Sequence, residues 1–150
     1  MLIGTCGSGG GGSNLLVALK PPATKNDTSE IIYEVSRSTA PYVPTPLFSH
    51  GRLYLWGDKG VVTCLHAASG EIIWKERVGG NFSSSPILIG DKILNISSDG
   101  EMVTLADDEK FEILGRRDVD EECRATPAVA QGILLIRTTS KLFALNMSAP

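Results

Sequence analysis

The sequence lacks the features that mark nucleic-acid-binding and membrane-spanning proteins. Its formal net charge is −3 and its pI is about 5.4, with no basic stripe along the chain. Binding to a phosphate backbone depends on lysines and arginines, so no nucleic-acid partner is expected. No apolar run approaches the roughly 18 residues of a membrane span, so none is expected.

Cysteine is also scarce. The three cysteines, Cys6, Cys64 and Cys123, are scattered, and no Cys-x-x-Cys spacing occurs. That spacing is typical of zinc and redox sites, so neither kind of site is expected. Unpaired cysteines usually behave as small buried apolar residues, so we interpret all three as free thiols, two of them in or beside strands.

The first residues carry no targeting signal. Residues 1–6 have no charged region, and their apolar stretch is too short for a secretory signal peptide. Two interpretations follow: a cytoplasmic protein, or a natural N-terminus upstream of Met1. The second is favoured, because these residues match the middle of a repeated pattern.

That pattern recurs about every forty residues. Each copy continues from its start through a turn, an apolar run, a second turn and a leucine. The copies start at Thr45-Pro46, Ser85-Pro86 and Thr126-Pro127. A fixed period of this length, built from short strands and Gly/Pro turns, predicts a β-propeller or a related array.

Each full copy reads as four strands, and no segment has a helical period. The expected strands are 43–48, 52–56, 61–66 and 71–78 in the first full copy, and 85–89, 92–97, 101–106 and 110–117 in the second. With three strands at each end, the chain has 14 strands, or about 3.5 blades. The predicted fold class is all-β: a partial β-propeller of four-stranded antiparallel blades.

We expect one partial propeller domain over residues 1–150. Its repeat units are 1–38 (incomplete), 42–79, 82–119 and 123–146 (incomplete). An incomplete blade exposes strand edges that can pair with another chain, so one hypothesis is a homodimer that closes a seven-bladed ring. The alternative, a segment of a longer propeller, is favoured because most propellers are single chains.

The segment from Cys64 to Trp74 resembles a docking motif, Ala-x-Asp-x-x-Thr-Gly-x-x-x-Trp, of pyrroloquinoline-quinone-type propeller repeats. Ser69, Gly70 and Trp74 stand at the matching spacing. In that family the glycine makes a tight turn and the tryptophan packs between blades, in keeping with glycine's tolerance of positive φ and the large area of an indole. The repeats are most similar to the bacterial family of outer membrane protein assembly factor B.

The chain departs from this motif in several places. Cys64 and His66 stand where the family has alanine and aspartate, and Tyr33 replaces the tryptophan in the first copy. In the copy after Trp74, Leu114 is assigned to the tryptophan position. The residues expected to dock blades or to start strands are Gly70, Trp74, Ser69, Tyr33, Pro46, Pro86 and Pro127.

No catalytic, cofactor-binding or metal-binding residue is expected. Quinone dehydrogenases of the resembling class use adjacent cysteines, calcium held by carboxylates and a catalytic aspartate; this chain has no such set, so no pyrroloquinoline quinone is expected. The acidic stretches 107–109 and 118–122 are interpreted as solvated loops. His50 and His66 are interpreted as isolated turn histidines, because no nucleophile and orienting partner accompany them.

The favoured function is a non-enzymatic protein-interaction scaffold, with protein partners at its loops or central channel. Two enlarged loops, 7–13 and 20–29, are the expected contact surfaces. The alternative is a fragment of a quinoprotein-like dehydrogenase whose catalytic blades lie outside this chain. The family resemblance implies a periplasmic or cell-envelope location, although the chain shows no signal peptide.

Overall fold

A computed structural model of the chain describes residues 1–7, 14–35 and 39–147. These residues form fourteen strands in four antiparallel sheets. The all-β propeller prediction is therefore confirmed. The strands are β1 (Leu2–Cys6), β2 (Leu15–Lys20), β3 (Glu30–Val35), β4 (Leu47–Ser49), β5 (Arg52–Trp56), β6 (Val61–His66), β7 (Ile72–Arg77), β8 (Ile87–Ile89), β9 (Lys92–Ile96), β10 (Glu101–Ala106), β11 (Ile113–Asp118), β12 (Ala128–Ala130), β13 (Ile133–Arg137) and β14 (Leu142–Asn146).

Each sheet pairs its strands in chain order. Sheet 1 holds β1–β3, sheet 2 holds β4–β7, sheet 3 holds β8–β11 and sheet 4 holds β12–β14. The predicted fourteen strands are thus spread over four sheets. Two copies would bring eight sheets together, and merging two end sheets would give six strands rather than four. This distribution does not favour the seven-bladed homodimer.

The first strand of each full sheet is shorter than expected. The sequence predicted strands over 43–48 and 85–89, whereas β4 and β8 start directly after Pro46 and Pro86. Proline has no N–H to donate to a strand ladder, so pairing begins only beyond it. The last strands of sheets 2 and 3 also begin later than predicted, at Ile72 and Ile113.

Tight hairpins join the first and second strands. His50 and Gly51, between β4 and β5, both have positive φ, 46° and 78°. Gln131 and Gly132 repeat this geometry between β12 and β13, at 52° and 76°. Two residues with positive φ form the turn type that matches the right-handed twist of paired strands.

The apolar core lies between sheets. Each of three clusters draws its buried side chains from two adjacent sheets. Between sheets 1 and 2 the cluster includes Leu16, Val35, Leu53, Leu55 and Leu65. Between sheets 2 and 3 it includes Tyr54, Trp56, Val62, Ile93 and Val103, and between sheets 3 and 4 Leu94, Ile96, Cys123, Leu134 and Ile136. We call these three boundaries the 1–2, 2–3 and 3–4 seams.

The described part of the chain contains no helix long and apolar enough to cross a membrane.

Candidate functional site

Two residues expected to dock blades meet at the 1–2 seam. Gly70 lies in the turn between β6 and β7 with a φ of +76°, and a Cβ there would lie 2.6 Å from the ring of Tyr33. The Tyr33 hydroxyl donates a hydrogen bond to the Ala67 carbonyl of the same turn at 2.8 Å. Burial raises the pKa of Tyr33. Tyr33 therefore lies against a backbone that has no room for a side chain at Gly70.

Trp74 occupies the same position at the 2–3 seam. It stands opposite Cys64 in the ladder, as Tyr33 stands opposite Ala18. Its indole Nε1 lies 3.4 Å from the Asp108 carbonyl, and its ring packs edge-to-face with the ring of Phe111, with 5.1 Å between the ring centroids. Ser69, by contrast, accepts a hydrogen bond from the Glu71 amide within its own turn, at 3.3 Å.

In sheet 3, the residue at the tryptophan position of the motif differs from the one that the sequence alignment assigned. A β-bulge interrupts the pairing of β11 just after Thr104, and Gly115, not Leu114, stands opposite Thr104. The turn before β11 is one residue longer than the turn before β7. The tryptophan position therefore falls one residue later in the chain than the alignment placed it. A Cβ at Gly115 would meet nothing within 4 Å. No aromatic side chain therefore fills this position at the 3–4 seam.

Pro46, Pro86 and Pro127 directly precede β4, β8 and β12. The hydroxyl residues before them form a ladder between sheets. The Thr45 amide donates to Ser85 Oγ at 2.9 Å, and the Ser85 amide donates to Thr126 Oγ1 at 2.9 Å. Sequence reasoning identified the repeated Thr/Ser-Pro pair but not this role of the hydroxyl, although its recurrence in all three copies was the available signal.

A polar cluster missed by the sequence analysis joins sheets 2 and 3. Asp107 was interpreted as part of a solvated loop, but its side chain is 1% exposed. Arg52 Nη2 and the Tyr54 hydroxyl donate to Asp107 Oδ1 at 2.9 and 2.7 Å. The Ser49 hydroxyl donates to Oδ2 at 2.6 Å, and His50 Nδ1 lies 2.9 Å from the same oxygen. We call these five residues the Asp107 cluster.

The hydrogen bonds decide the charge of this carboxyl group. Burial alone would raise the pKa of Asp107, but the donors Ser49, Tyr54, Arg52 and His50 hold it well below its usual range. Burial likewise raises the pKa of Tyr54, and the hydrogen bond to Asp107 adds to the rise. Asp107 is therefore a buried carboxylate paired with the Arg52 guanidinium.

The cluster contains a serine, a histidine and an aspartate, but not in a catalytic arrangement. In a hydrolytic triad, the serine and the aspartate contact different ring nitrogens of the histidine. Here Ser49 Oγ and Asp107 Oδ2 both approach His50 Nδ1, at 3.0 and 2.9 Å. His50 is thus not the isolated turn residue that was expected, but the geometry supports a structural link rather than proton transfer. His66 is exposed at the end of β6.

An acidic side chain also joins sheets 3 and 4. Glu121 belongs to the stretch expected to be a solvated loop, yet Lys141 Nζ lies 2.8 Å from its Oε1. The hydroxyls of Thr138 and Ser140 donate to its carboxylate at 2.6 and 2.7 Å. The contacts from Lys141, Thr138 and Ser140 lower the pKa of Glu121 to about 2. Among the described residues, no group of three or more potential metal ligands comes together.

We predict that Asp107→Asn lowers the free energy of unfolding by about 3 kcal/mol at pH 7, because it leaves the largely buried Arg52 without its counter-charge. The measurement is urea unfolding followed by circular dichroism. The control is Asp91→Asn, whose side chain is 89% exposed and 3.9 Å from Lys92. The control should change stability by less than about 0.5 kcal/mol.

The pH dependence gives the same prediction a second readout. A carboxyl group whose folded pKa is lowered stabilises the fold above its unfolded pKa, about 3.9, and loses that contribution as pH falls through the folded value. The gap between the natural protein and Asp107→Asn should be constant from pH 7 to 5 and narrow below about pH 4. A gap that stays constant down to pH 2 would contradict a charged Asp107.

The free cysteines fit the same structural picture. Cys64 and Cys123 are buried and Cys6 is exposed. Burial raises the pKa of Cys64 to about 11, so its thiol is protonated at neutral pH and a poor nucleophile. The Cys123 thiol donates to the Arg137 carbonyl at 3.1 Å, which ties the segment before β12 to the end of β13.

Comparison with known proteins extends the fold assignment. No curated protein matches the chain. Among solved structures, BamB from Moraxella catarrhalis aligns with a TM-score of 0.70 at 19% identity, over 98% of this chain and 47% of that one. The chain therefore spans about half the length of that BamB.

Two enzymes share the same repeat architecture over shorter stretches. A europium-containing methanol dehydrogenase aligns with a TM-score of 0.54 at 15% identity, over 70% of this chain and 21% of that one. The quinohemoprotein alcohol dehydrogenase from Comamonas testosteroni aligns with a TM-score of 0.59 at 16% identity, over 73% and 20%. At these identities the likeness concerns the fold. The family model described as outer membrane protein assembly factor BamB matches residues 23–148, most of the sequence, and the chain therefore belongs to the BamB family of propeller repeat proteins.

Proposed function

We propose that this chain is part of a non-enzymatic protein-interaction scaffold and that it binds no quinone. The observation that carries the proposal is that the hydrogen bonds of the Asp107 carboxylate are structural. Each oxygen of this buried carboxylate already accepts hydrogen bonds from side chains of the neighbouring sheet. A carboxylate committed in this way stabilises a rigid support, on which loops can present a binding surface.

The potential nucleophiles support the same proposal. The Ser49 hydroxyl is buried and donates to Asp107, and the lowered pKa of that carboxyl group makes it a weak base. The Cys64 thiol is buried and protonated. Neither group offers the nucleophile, adjacent base and orienting partner that acyl or phosphoryl transfer chemistry needs.

The proposed contact surface is the loop 20–29. Asp27 closes a turn within it by accepting hydrogen bonds from the Thr24 amide and hydroxyl, at 2.9 and 3.0 Å. The loop is exposed and borders a cavity of about 180 Å³ lined by Lys20, Asp27 and Glu30, among others. The second expected contact loop, 7–13, lies outside the described residues beyond Gly7.

The family suggests the kind of partner. The matching family is named for outer membrane protein assembly. By extension, we propose that this chain works in the periplasm or cell envelope and contacts a protein of the outer membrane assembly machinery.

The loop proposal predicts that replacing residues 21–28 by a short Gly-Ser turn weakens binding to that machinery at least tenfold, because the contact surface is removed. The measurement is biolayer interferometry with the purified assembly complex from the same organism. The control is Glu109→Ala/Lys110→Ala, two exposed residues in a short turn of sheet 3. Equal binding of the loop variant and the control would contradict the proposed surface.

A second candidate function rests on the structural likeness to the europium-containing methanol dehydrogenase and the quinohemoprotein alcohol dehydrogenase. In that case the chain would be a fragment of a dehydrogenase whose catalytic blades lie elsewhere. We consider it weaker, because the two dehydrogenases align with 70% and 73% of this chain, whereas the BamB from Moraxella catarrhalis aligns with 98%.

Ligand-linked stability tests whether this chain itself binds quinone. A ligand that binds the folded state raises the midpoint of thermal unfolding. We predict no change in the midpoint of this chain with pyrroloquinoline quinone and Ca²⁺ in hundredfold excess. A shift that saturates with quinone concentration would favour the dehydrogenase and end the scaffold proposal in its present form.

We also propose that Gly70, Tyr33 and Trp74 dock neighbouring blades, that Ser69 shapes the docking turn, and that Pro46, Pro86 and Pro127 fix where first strands start. Gly70 allows a sharp test, because Gly51 has a similar φ, +78°, and a Cβ at Gly51 would meet nothing within 4 Å. Both substitutions to alanine carry backbone strain, but only Gly70→Ala also collides with Tyr33.

We predict that Gly51→Ala destabilises the protein by about 1 kcal/mol and Gly70→Ala by at least about 2 kcal/mol more. The excess should disappear in a Tyr33→Ala background, where the two glycine substitutions should cost the same. The measurement is urea unfolding of the single and double variants. If the excess persists without Tyr33, the contact between Gly70 and Tyr33 does not dock the sheets.

A further inference from the structure

Among the described residues, strand β1 is paired along one edge only, with β2. In sheets 2, 3 and 4 the first strand pairs with the second in one register: Leu47 opposite Tyr54, Ile87 opposite Leu94 and Ala128 opposite Leu135. Sheet 1 has no counterpart of these first strands among the described residues, and β1 pairs only with β2. Ile3 is the equivalent of Tyr54, because each stands opposite the residue that precedes the bulge, Ala18 or Cys64.

A groove runs along this free edge, between β1 and the start of sheet 2. We call it the β1–β4 groove. Its volume is about 210 Å³, and it is lined by Ile3, Thr5, Thr45, Pro46, Phe48 and Leu53. Phe48 is 60% exposed, whereas its counterpart Leu88, which has β4 beside it, is 37% exposed. The groove thus exposes apolar surface that the next seam covers.

The other seams show what normally occupies this place. Leu47, in the first strand of sheet 2, packs against the core of the 2–3 seam. Ile87 and Ile89, in the first strand of sheet 3, pack against the core of the 3–4 seam. Among the described residues, the 1–2 seam receives no such side chain, although its core reaches the groove through Ile3 and Leu53.

The hydroxyl ladder points to the same occupant. In each described step, the amide of a Thr or Ser before a strand-starting proline donates to the equivalent hydroxyl of the next sheet. Continued backwards by one step, the donor to Thr45 Oγ1 is the amide of a residue that precedes a proline at the start of a first strand in sheet 1.

We propose that the β1–β4 groove binds an extended segment of the form Ser/Thr-Pro-aliphatic-x-aliphatic, a first strand of the same repeat type. It pairs antiparallel with β1, and the residue after its proline lies opposite Ile3. Its two aliphatic side chains fill the groove, and its Ser/Thr amide donates to Thr45 Oγ1. This inference goes beyond the scaffold proposal, because it concerns a groove at a strand edge and not the loops.

The test uses as a probe a peptide that contains β8, the first strand of sheet 3. A fluorescein-labelled peptide of residues 83–89, Ser-Ser-Ser-Pro-Ile-Leu-Ile, is titrated with the 150-residue protein and followed by fluorescence anisotropy. Saturable binding is expected. A peptide with aspartate in place of both isoleucines should bind at least tenfold more weakly, because the groove is apolar. Equal binding of the two peptides would overturn the proposal.

Two protein variants locate the site. Thr45→Val keeps the shape of the side chain but removes the hydroxyl, and should weaken binding about fivefold, as expected for one hydrogen bond. Phe48→Asp changes an exposed groove residue and should abolish binding. Thr139→Val, in the exposed turn between β13 and β14, is the control and should leave binding unchanged. Circular dichroism confirms that each variant is folded.

Three further outcomes would overturn the proposal. The first is no saturable binding by a folded protein. The second is binding unaffected by Thr45→Val and Phe48→Asp, which would place the peptide elsewhere. The third is a natural protein that is dimeric by light scattering and becomes monomeric with Phe48→Asp, which would mean that a second copy, not a first-strand segment, covers the groove.

Discussion

The burial of apolar side chains between sheets is the constraint on which this structure depends. A strand pair within one sheet satisfies backbone hydrogen bonds, but it leaves both faces of the sheet apolar. Leu53 is 2% exposed because sheet 1 covers it, and Ile93 is fully buried because sheet 2 does. Stability in such an array comes from nearest-neighbour interfaces, so each sheet is only as stable as its seams. The outermost faces show the converse, with Leu2 58% and Leu142 64% exposed.

Apolar burial is not directional, so it cannot by itself fix how one sheet is placed on the next. Polar links across the seams supply that direction. Asp107 reaches from the turn after β10 to side chains of β4, the β4–β5 hairpin and β5. These hydrogen bonds can all form in only one placement of sheet 3 on sheet 2. The Thr45–Ser85–Thr126 ladder fixes the strand starts in the same manner. Both sets of links use polar groups that take no part in the backbone hydrogen bonds between paired strands.

The sequence was sufficient to predict the features of the fold that are local and repeated. The period, the Gly/Pro turns and the strand pattern predicted fourteen strands, because each depends on neighbouring residues. It was insufficient for contacts between distant residues. Asp107 lies 55 positions from Arg52, and within Asp-Asp-Glu it has the composition of an ordinary solvated turn. Gly115 was missed because one extra turn residue moves the bulge, a shift that only strand pairing reveals.

The three seams are held by different chemistry, and this bears on how far a docking motif can be trusted. The 1–2 seam has Tyr33 on the Gly70 turn, and the 2–3 seam has Trp74 together with the Asp107 cluster. The 3–4 seam has no aromatic at Gly115, but Glu121 binds Lys141 across it. A degenerate motif therefore does not imply a weakened blade, because what must be preserved is a covered apolar face with some directional link, and several kinds of residue pair can provide that link.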